Sequence, residues 1–444
     1  MRYLPHTQED IEGMLKAVRQ DSLEDLFSQI PNSCLRDRDL ALPEPMTEWQ
    51  LQEQIQELAQ KTANSKGFIN FLGAGSYDHY IPSSCKYLIS RSELSTAYTP
   101  YQPEVSQGTL QAIFEYQSLV ASLFDMDVSN ASMYDGASAF AEAVFMALRI
   151  SRKRNTVAVS KLIHPAYRQV LKTYLAPTNF KLIELPYLED GSTDISPLST
   201  CDDLAAVAIQ SPNFFGCIEN LGKIFGQVKQ DRTLCITCFT EPLAYGLYKA
   251  PGSQGADIVS GEGQSLGIPQ SFGGPGLGIL CTRNEYVRRM PGRLVGQTRD
   301  QDGQRGYVLT LATREQHIRR GKATSNICSN QGLCATMTAM YLASTGASGL
   351  KELAALNRDK TEYLKRELKN KGCYLPFSGP TFNEFVVKWP EDLNKLQARL
   401  KDKKIIAGLP LSPFYPELAD HTLLCVTETK TKEVLDSLLK EVSV

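Results

Sequence analysis

An α/β fold built on a mostly parallel, buried sheet is predicted from three observations. From about residue 105 to residue 281, short apolar runs alternate with segments of helical apolar spacing, the pattern of a sheet whose crossovers are helices. The runs are apolar almost throughout, as strands covered on both faces are. Each is bounded by Gly, Pro or Asp, which end strands. Beyond residue 326 charged helices and isolated strands predict a linking helix and a small C-terminal αβ domain. At about 150 residues per domain, 444 residues suggest two or three domains. The boundaries are drawn at 1–62 for an N-terminal helical arm, 63–325 for the large domain and 326–444 for the remainder.

The arm comes first. Apolar spacing predicts helices over 7–20 and 23–30, stopped by Leu42-Pro43-Glu44-Pro45. Thr47 opens another helix, with Gln50 completing a capping box and Leu51, Ile55 and Leu58 forming one stripe. After the glycine turn Leu72-Gly73-Ala74-Gly75-Ser76, a helix is predicted through Ile113, Tyr116, Val120 and Leu123. A strand over 131–134 leads into a helix over 136–148. Strands follow at Thr156–Ser160, Lys181–Leu185, Leu204–Gln210, Leu234–Phe239, 257–260 and 277–281. A helix over 165–174 begins at Pro165, where a missing N–H costs nothing. The C-terminal part reads as helices over 334–341, 349–371, 393–400 and 432–442, with strands over 385–389 and 422–427.

Composition narrows the class. Forty-two per cent apolar residues suffice for a core, and a net charge of −2 gives no pull toward nucleic acid or an anionic membrane. No stretch approaches the ~18 apolar residues of a spanning helix. The N-terminus turns acidic before any signal-type apolar region, so a cytoplasmic protein is expected. Eleven scattered cysteines fit reduced thiols. Cys235 and Cys238 form a C-x-x-C, but residues three apart on a strand face opposite ways, which argues against both a metal and a redox pair.

Four segments could carry chemistry. In Tyr98-Thr99-Pro100-Tyr101-Gln102-Pro103-Glu104 the prolines hold a stiff loop, and its polar side chains could shape a small pocket or simply form a structural loop. Asp135-Gly136-Ala137-Ser138 opens a helix, and a helix start can cradle phosphate. A carboxylate placed to cap that helix favours a self-satisfied end. The turns within 261–276 are glycine-dense but lack a phosphate-loop lysine. The stretch 313–326 sets Arg314, His317, Arg319 and Arg320 beside Thr324, Ser325 and Asn326, which suits an anion or a solvated basic face. The five histidines are too dispersed for a metal site, and His164 reads as a turn or core residue.

The same segments carry a family resemblance. Tyr98 to Gly108, Met290-Pro291-Gly292-Arg293-Leu294-Val295-Gly296, Thr313 to Arg320, Ala323 to Cys328 and Asn383-Glu384-Phe385-Val386-Val387 resemble the glycine-cleavage P-protein family, in its N-terminal-half type. The resemblance implies an aspartate-aminotransferase-like fold, type I among pyridoxal-phosphate (PLP) enzymes, with a seven-stranded sheet. It implies PLP-dependent glycine decarboxylation with transfer of the aminomethyl group to lipoyl-lysine of the H-protein. In the sister half a His-Lys pair precedes an Ile-Pro. Aligned on Ile268-Pro269, Gln264 stands at the lysine position and Gly263 at the histidine position. The aspartate that would face the pyridinium nitrogen is missing from 235–241, which offers Glu241, and Asp135 stands where the sister half has a Ser-Gly phosphate cup.

The resemblance therefore implies a non-catalytic subunit, inactive alone, with PLP bound covalently by a sister subunit 2 in an α2β2 assembly. Tyr98, Tyr101, Gln102 and Glu104 would wall the partner's glycine site. Thr324, Ser325 and Asn326 would meet the partner's PLP phosphate, and Arg314, His317 and Arg319 would fold that loop or meet the lipoyl carrier. The H-protein is the implied direct partner, and the T- and L-proteins are functional ones. No metal, nucleic acid or membrane is implied. The rival readings are a free-standing PLP enzyme using Lys249 or Lys161, and a scaffold with no share in catalysis.

Overall fold

A computed structural model describes residues 5–36, 38–62, 67–94, 99–151, 153–229 and 233–442. The chain divides into two units, residues 1–64 and 65–444.

The first unit holds the helices Gln8–Val18 and Glu48–Gln60. Both start in the capping boxes their sequences specify: Thr7 with Asp10, and Thr47 with Gln50. Neither helix buries a residue. The helix predicted over 23–30 is reduced to a 3-10 turn, Glu24–Phe27. Pro31 lies four residues beyond its end, and so short a segment with no packed face has too few hydrogen bonds to offset nucleation.

In the second unit, seven strands form the central sheet. They are β1 (Val128–Ser129), β2 (Thr156–Ser160), β3 (Lys181–Leu185), β4 (Leu204–Gln210), β5 (Leu234–Phe239), β6 (Ile258–Glu262) and β7 (Gly278–Thr282). Their spatial order is β1-β7-β6-β5-β4-β2-β3. Strands β2 to β6 run parallel, whereas β7 is antiparallel to both its neighbours. Strands β2, β4, β5, β6 and β7 are buried along their whole length, which is why they read as continuous apolar runs.

Two cores flank the sheet. Along β5, Leu234, Ile236 and Cys238 enter one core, while Cys235 and Phe239 enter the other. The C-x-x-C sulfurs thus diverge, and all eleven cysteines are unpaired. Helix Gly136–Ser151 lays Phe140, Val144 and Ala147 on the first face. Tyr116 and Val120 of helix Gln107–Leu123, with Met337 and Tyr341, cover the second.

Two predicted elements change. The strand placed over 131–134 lies earlier, at Val128–Ser129, and only the isolated bridge Met133–Gly278 remains of it. The backbone there turns at Ser132 (φ 108°), which interrupts the ladder. The two helices over 334–341 and 349–371 form one long run, Gly332–Asn370, broken at Gly346 with φ 63° and ψ 175°. Glycine tolerates that conformation, so the break falls where it sits.

At the C-terminal end, Glu384–Lys388, His421–Cys425 and Leu409–Pro410 make a three-stranded antiparallel sheet. Ile69–Asn70 pairs in parallel with Ile405–Ile406. From that pairing the chain runs through 72–80 across the carboxyl edge of the parallel strands, the edge at which α/β sheets form their crevices.

Candidate active site

A cavity of about 620 Å³ opens at that edge, lined among others by Ser76, Asp135, His164, Tyr167, Glu262 and Gln264. Its helix N-terminus is already occupied. Asp135 Oδ1 accepts from Ser138 N at 2.7 Å, and Glu262 Oε2 accepts from Gly136 N at 2.9 Å. The other Glu262 oxygen accepts from Leu277 N (2.7 Å) and Gln264 N (3.1 Å). Burial raises the Glu262 carboxyl above its ordinary range, against the pull of these amides. Gly136 is required here, since a Cβ would lie 2.1 Å from the Tyr167 hydroxyl and 2.7 Å from Glu262 N. His164 caps helix Pro165–Leu175 through Ala166 N and bonds Ala74 O at 2.9 Å, so it is a turn histidine.

Gln264 is fully engaged. Its Oε1 accepts from Tyr77 N (2.8 Å), and its Nε2 donates to Tyr77 O (3.0 Å) and Ile268 O (2.7 Å). It therefore ties the 72–80 segment into the cleft, and no lysine lines the cavity among the described residues. Lys249 and Lys161 are exposed and are absent from its lining.

Behind Gln264 lies a buried polar cluster that the sequence did not bring together. The Tyr77 hydroxyl donates to Glu384 Oε2 at 2.8 Å and lies 3.1 Å from Thr240 Oγ1. Ala74 N donates to the other Glu384 oxygen at 2.6 Å. Burial lifts the Glu384 carboxyl to about 7, more than these donors lower it. His79 is wedged between Glu241 (2.8 Å) and Glu428 (2.7 Å). Burial alone would lower its pKa; the two carboxylates outweigh that and raise it to about 10. Asn383 Nδ2 donates to Glu241 Oε2 at 2.9 Å. Glu241 thus stands just past β5 with its oxygens taken by His79, Asn383 and Leu243 N. The sequence signals for this cluster were Glu241, at the position that would face the pyridinium nitrogen, and Asn383-Glu384, within a family motif; nothing local linked either to His79.

A second constellation is built on the loop after residue 98. Tyr98 lies outside the described residues. The Tyr101 hydroxyl accepts from Arg293 Nη2 at 2.7 Å while its ring stays 56 % exposed. Gln102 and Glu104 are exposed on the same loop. Thr324 N donates to Arg314 O (3.0 Å), Ser325 Oγ accepts from Ile327 N (3.1 Å), and Asn326 is exposed. Arg314 donates to Gly292 O at 2.8 Å and Arg319 to Thr313 O at 3.1 Å, both shaping the loop; His317 is exposed.

Residues 1–442 match the family model described as glycine cleavage system P-protein. The chain belongs to the glycine cleavage system P-protein family. P-protein relatives from Desulfotalea psychrophila (53% identity, 100% of this chain and 98% of the relative) and Geobacillus kaustophilus (48%, 99% and 98%) are both named probable glycine dehydrogenase (decarboxylating) subunit 1. A crystal structure of glycine decarboxylase (P-protein) of the glycine cleavage system, in inhibitor-bound form, matches with TM-score 0.90 at 42% identity, covering 100% of this chain and 99% of that one. A NifS-like protein (TM-score 0.62, 15% identity, 84% of this chain and 98% of that one) and an alanine–glyoxylate aminotransferase from Nostoc sp. (0.59, 14%, 93% and 97%) share the fold alone. That fold is type I of the PLP enzymes.

Proposed function

We propose that this chain is subunit 1 of a two-chain glycine dehydrogenase (decarboxylating), the half without a cofactor lysine. The observation that carries the reading is Gln264. A glutamine amide cannot form the imine a lysine forms, and all three of its hydrogen bonds here hold the chain's own backbone. The residues of this cleft do not fit PLP. The helix start that would take a phosphate is satisfied by Asp135 and Glu262, and acidic side chains there oppose an incoming anion.

PLP in the assembled enzyme, an electron sink for decarboxylation, is assigned to the sister subunit. This chain's part is to complete the partner's site. Tyr98, Tyr101, Gln102 and Glu104 would wall the glycine site, and exposure of Tyr101, Gln102 and Glu104 leaves them free to do so. Thr324, Ser325 and Asn326 would approach the partner's phosphate. The lipoylated H-protein would then collect the aminomethyl group.

The test is to purify this chain alone, its sister alone and the two together, with PLP added. The visible lysine–PLP absorbance and glycine-dependent CO2 exchange are then measured. Absorbance from the sister's lysine, with full exchange only in the pair, is the expected result. A lysine-linked band on this chain alone would overturn the reading. Full exchange by the sister alone would make this chain a scaffold.

A further inference from the structure

We infer that Arg293 is a positioning residue, one guanidinium that fixes Tyr101 and its loop where the partner's site needs them. The inference rests on the proposed role of Tyr101 as a wall of that site.

Arg293 is 4 % exposed, in the turn Met290-Pro291-Gly292-Arg293. Its base is rigid. Ala131 N donates to Arg293 O at 2.8 Å, and Asn130 Nδ2 donates to Pro291 O at 3.1 Å, pinning the turn next to the end of β1. Its head reaches two distant parts of the sequence, the 99–101 loop and Ser329. Nη1 donates to Thr99 Oγ1 and Ser329 Oγ, each at 3.1 Å, and Nη2 donates to the Tyr101 hydroxyl at 2.7 Å. Glu315 Oε2 stands 3.6 Å from Nε and supplies the countercharge. A planar fork can hold several acceptors at set angles, which a lysine ammonium on a flexible stem does not reproduce.

The loop needs such an anchor. Backbone bonds within 99–106 are local: Tyr101 N to Thr99 O, Val105 N to Gln102 O and Ser106 N to Pro103 O. The Tyr101 side chain is mostly exposed; its ring meets the edge of His317, at 6.2 Å between centroids, and the Arg293 guanidinium, at 5.1 Å from its centroid. Arg293 thus holds it both by the hydroxyl and over the ring face. Tyr101 keeps its own phenolic proton free to donate outward, because the bond to Arg293 uses a lone pair. The orientation of that donor is what Arg293 sets.

The experiment uses the assembled two-chain enzyme with Arg293→Lys, Arg293→Met, Tyr101→Phe and the double variant Tyr101→Phe/Arg293→Lys. Glycine KM, kcat for CO2 exchange, co-purification and thermal midpoint are read for each. Arg293→Met is expected to raise glycine KM about 10-fold or more, the size of a lost charged hydrogen bond, with kcat within about 3-fold. Arg293→Lys falls between it and the wild type. In the Tyr101→Phe background, Arg293→Lys costs less than it does in the wild type, because the bond to the Tyr101 hydroxyl is gone while those to Thr99 and Ser329 remain. Wild-type kinetics in Arg293→Lys, or effects that multiply in the double variant, overturn the inference. Should Arg293→Met fail to assemble, the Lys and Phe cycle decides alone. If the partner needs no copy of this chain for exchange, the reading of Tyr101 as a wall fails instead, a result visible before any variant is made.

Discussion

Replacing His79 by Gln should make the stability of this chain lose much of its dependence on alkaline pH. The histidine lies between Glu241 and Glu428, with hydrogen bonds of 2.8 and 2.7 Å, and links the 72–80 segment to the region after β5 and to the C-terminal lobe. Its folded pKa of about 10 lies above the ordinary 6.5. The folded state therefore binds the proton more tightly, and this contribution is complete below about pH 6.5 and is lost as pH rises through about 10. The rise from 6.5 to about 10, at about 1.36 kcal/mol per pH unit, is worth about 5 kcal/mol. Glu428 is held low by the same histidine after burial is overcome, so the two shifts are one interaction and are not added. Breaking one side of a buried pair costs about 3–5 kcal/mol, in line with that figure. His79→Gln should lower stability by about 3–5 kcal/mol near pH 6 and by far less near pH 10.5, where the wild-type ring is neutral too. Urea unfolding followed by tryptophan fluorescence measures it, since Trp389 is 4 % exposed and Trp49 is 70 % exposed. An equal gap between wild type and variant at both pH values would refute the assignment of the charge to His79.

Other predictions follow the same chemistry. Glu384, raised to about 7 by burial, favours the protonated folded state, so its contribution is complete below about 4.5 and is lost as pH rises through about 7; Glu384→Gln should flatten that part of the unfolding profile. Gln264→Lys alone should give no lysine–PLP absorbance, because Asp135 and Glu262 still fill the helix start; a visible band would show the cleft open to the cofactor. Gly136→Ala should cost about 1–3 kcal/mol through overpacking against Tyr167 and β6, read as a lower urea midpoint. The lone chain should self-associate at micromolar concentration, since the first unit leaves Trp49, Leu51, Ile55 and Leu58 exposed; sedimentation showing a stable monomer would count against it.

Much of the sheet was legible because its strands are covered on both faces. Strands β2, β3, β4 and β5 fall at the predicted residues, and β6 and β7 shift by one or two. The helix starts at Thr7, Thr47 and Pro165 were legible too, because caps are local chemistry written within four residues. The misplaced strand at 131–134 and the shortened helix at 23–30 were local patterns overruled by backbone turns or by the lack of a packed face.

The site divides along the same line. Residue identity alone determined that Gln264 cannot act as a cofactor lysine and that Asp135 would cap its own helix, since both follow from one side chain and its neighbours. Only the tertiary structure decided that Glu262 fills the rest of that helix start, that Gln264 grips Tyr77 from 187 residues away, that His79 joins Glu241 to Glu428, and that Arg293 holds Tyr101. These partners are distant in the chain, and a hydrogen bond or an ion pair depends on a few ångströms of separation that spacing in sequence does not encode.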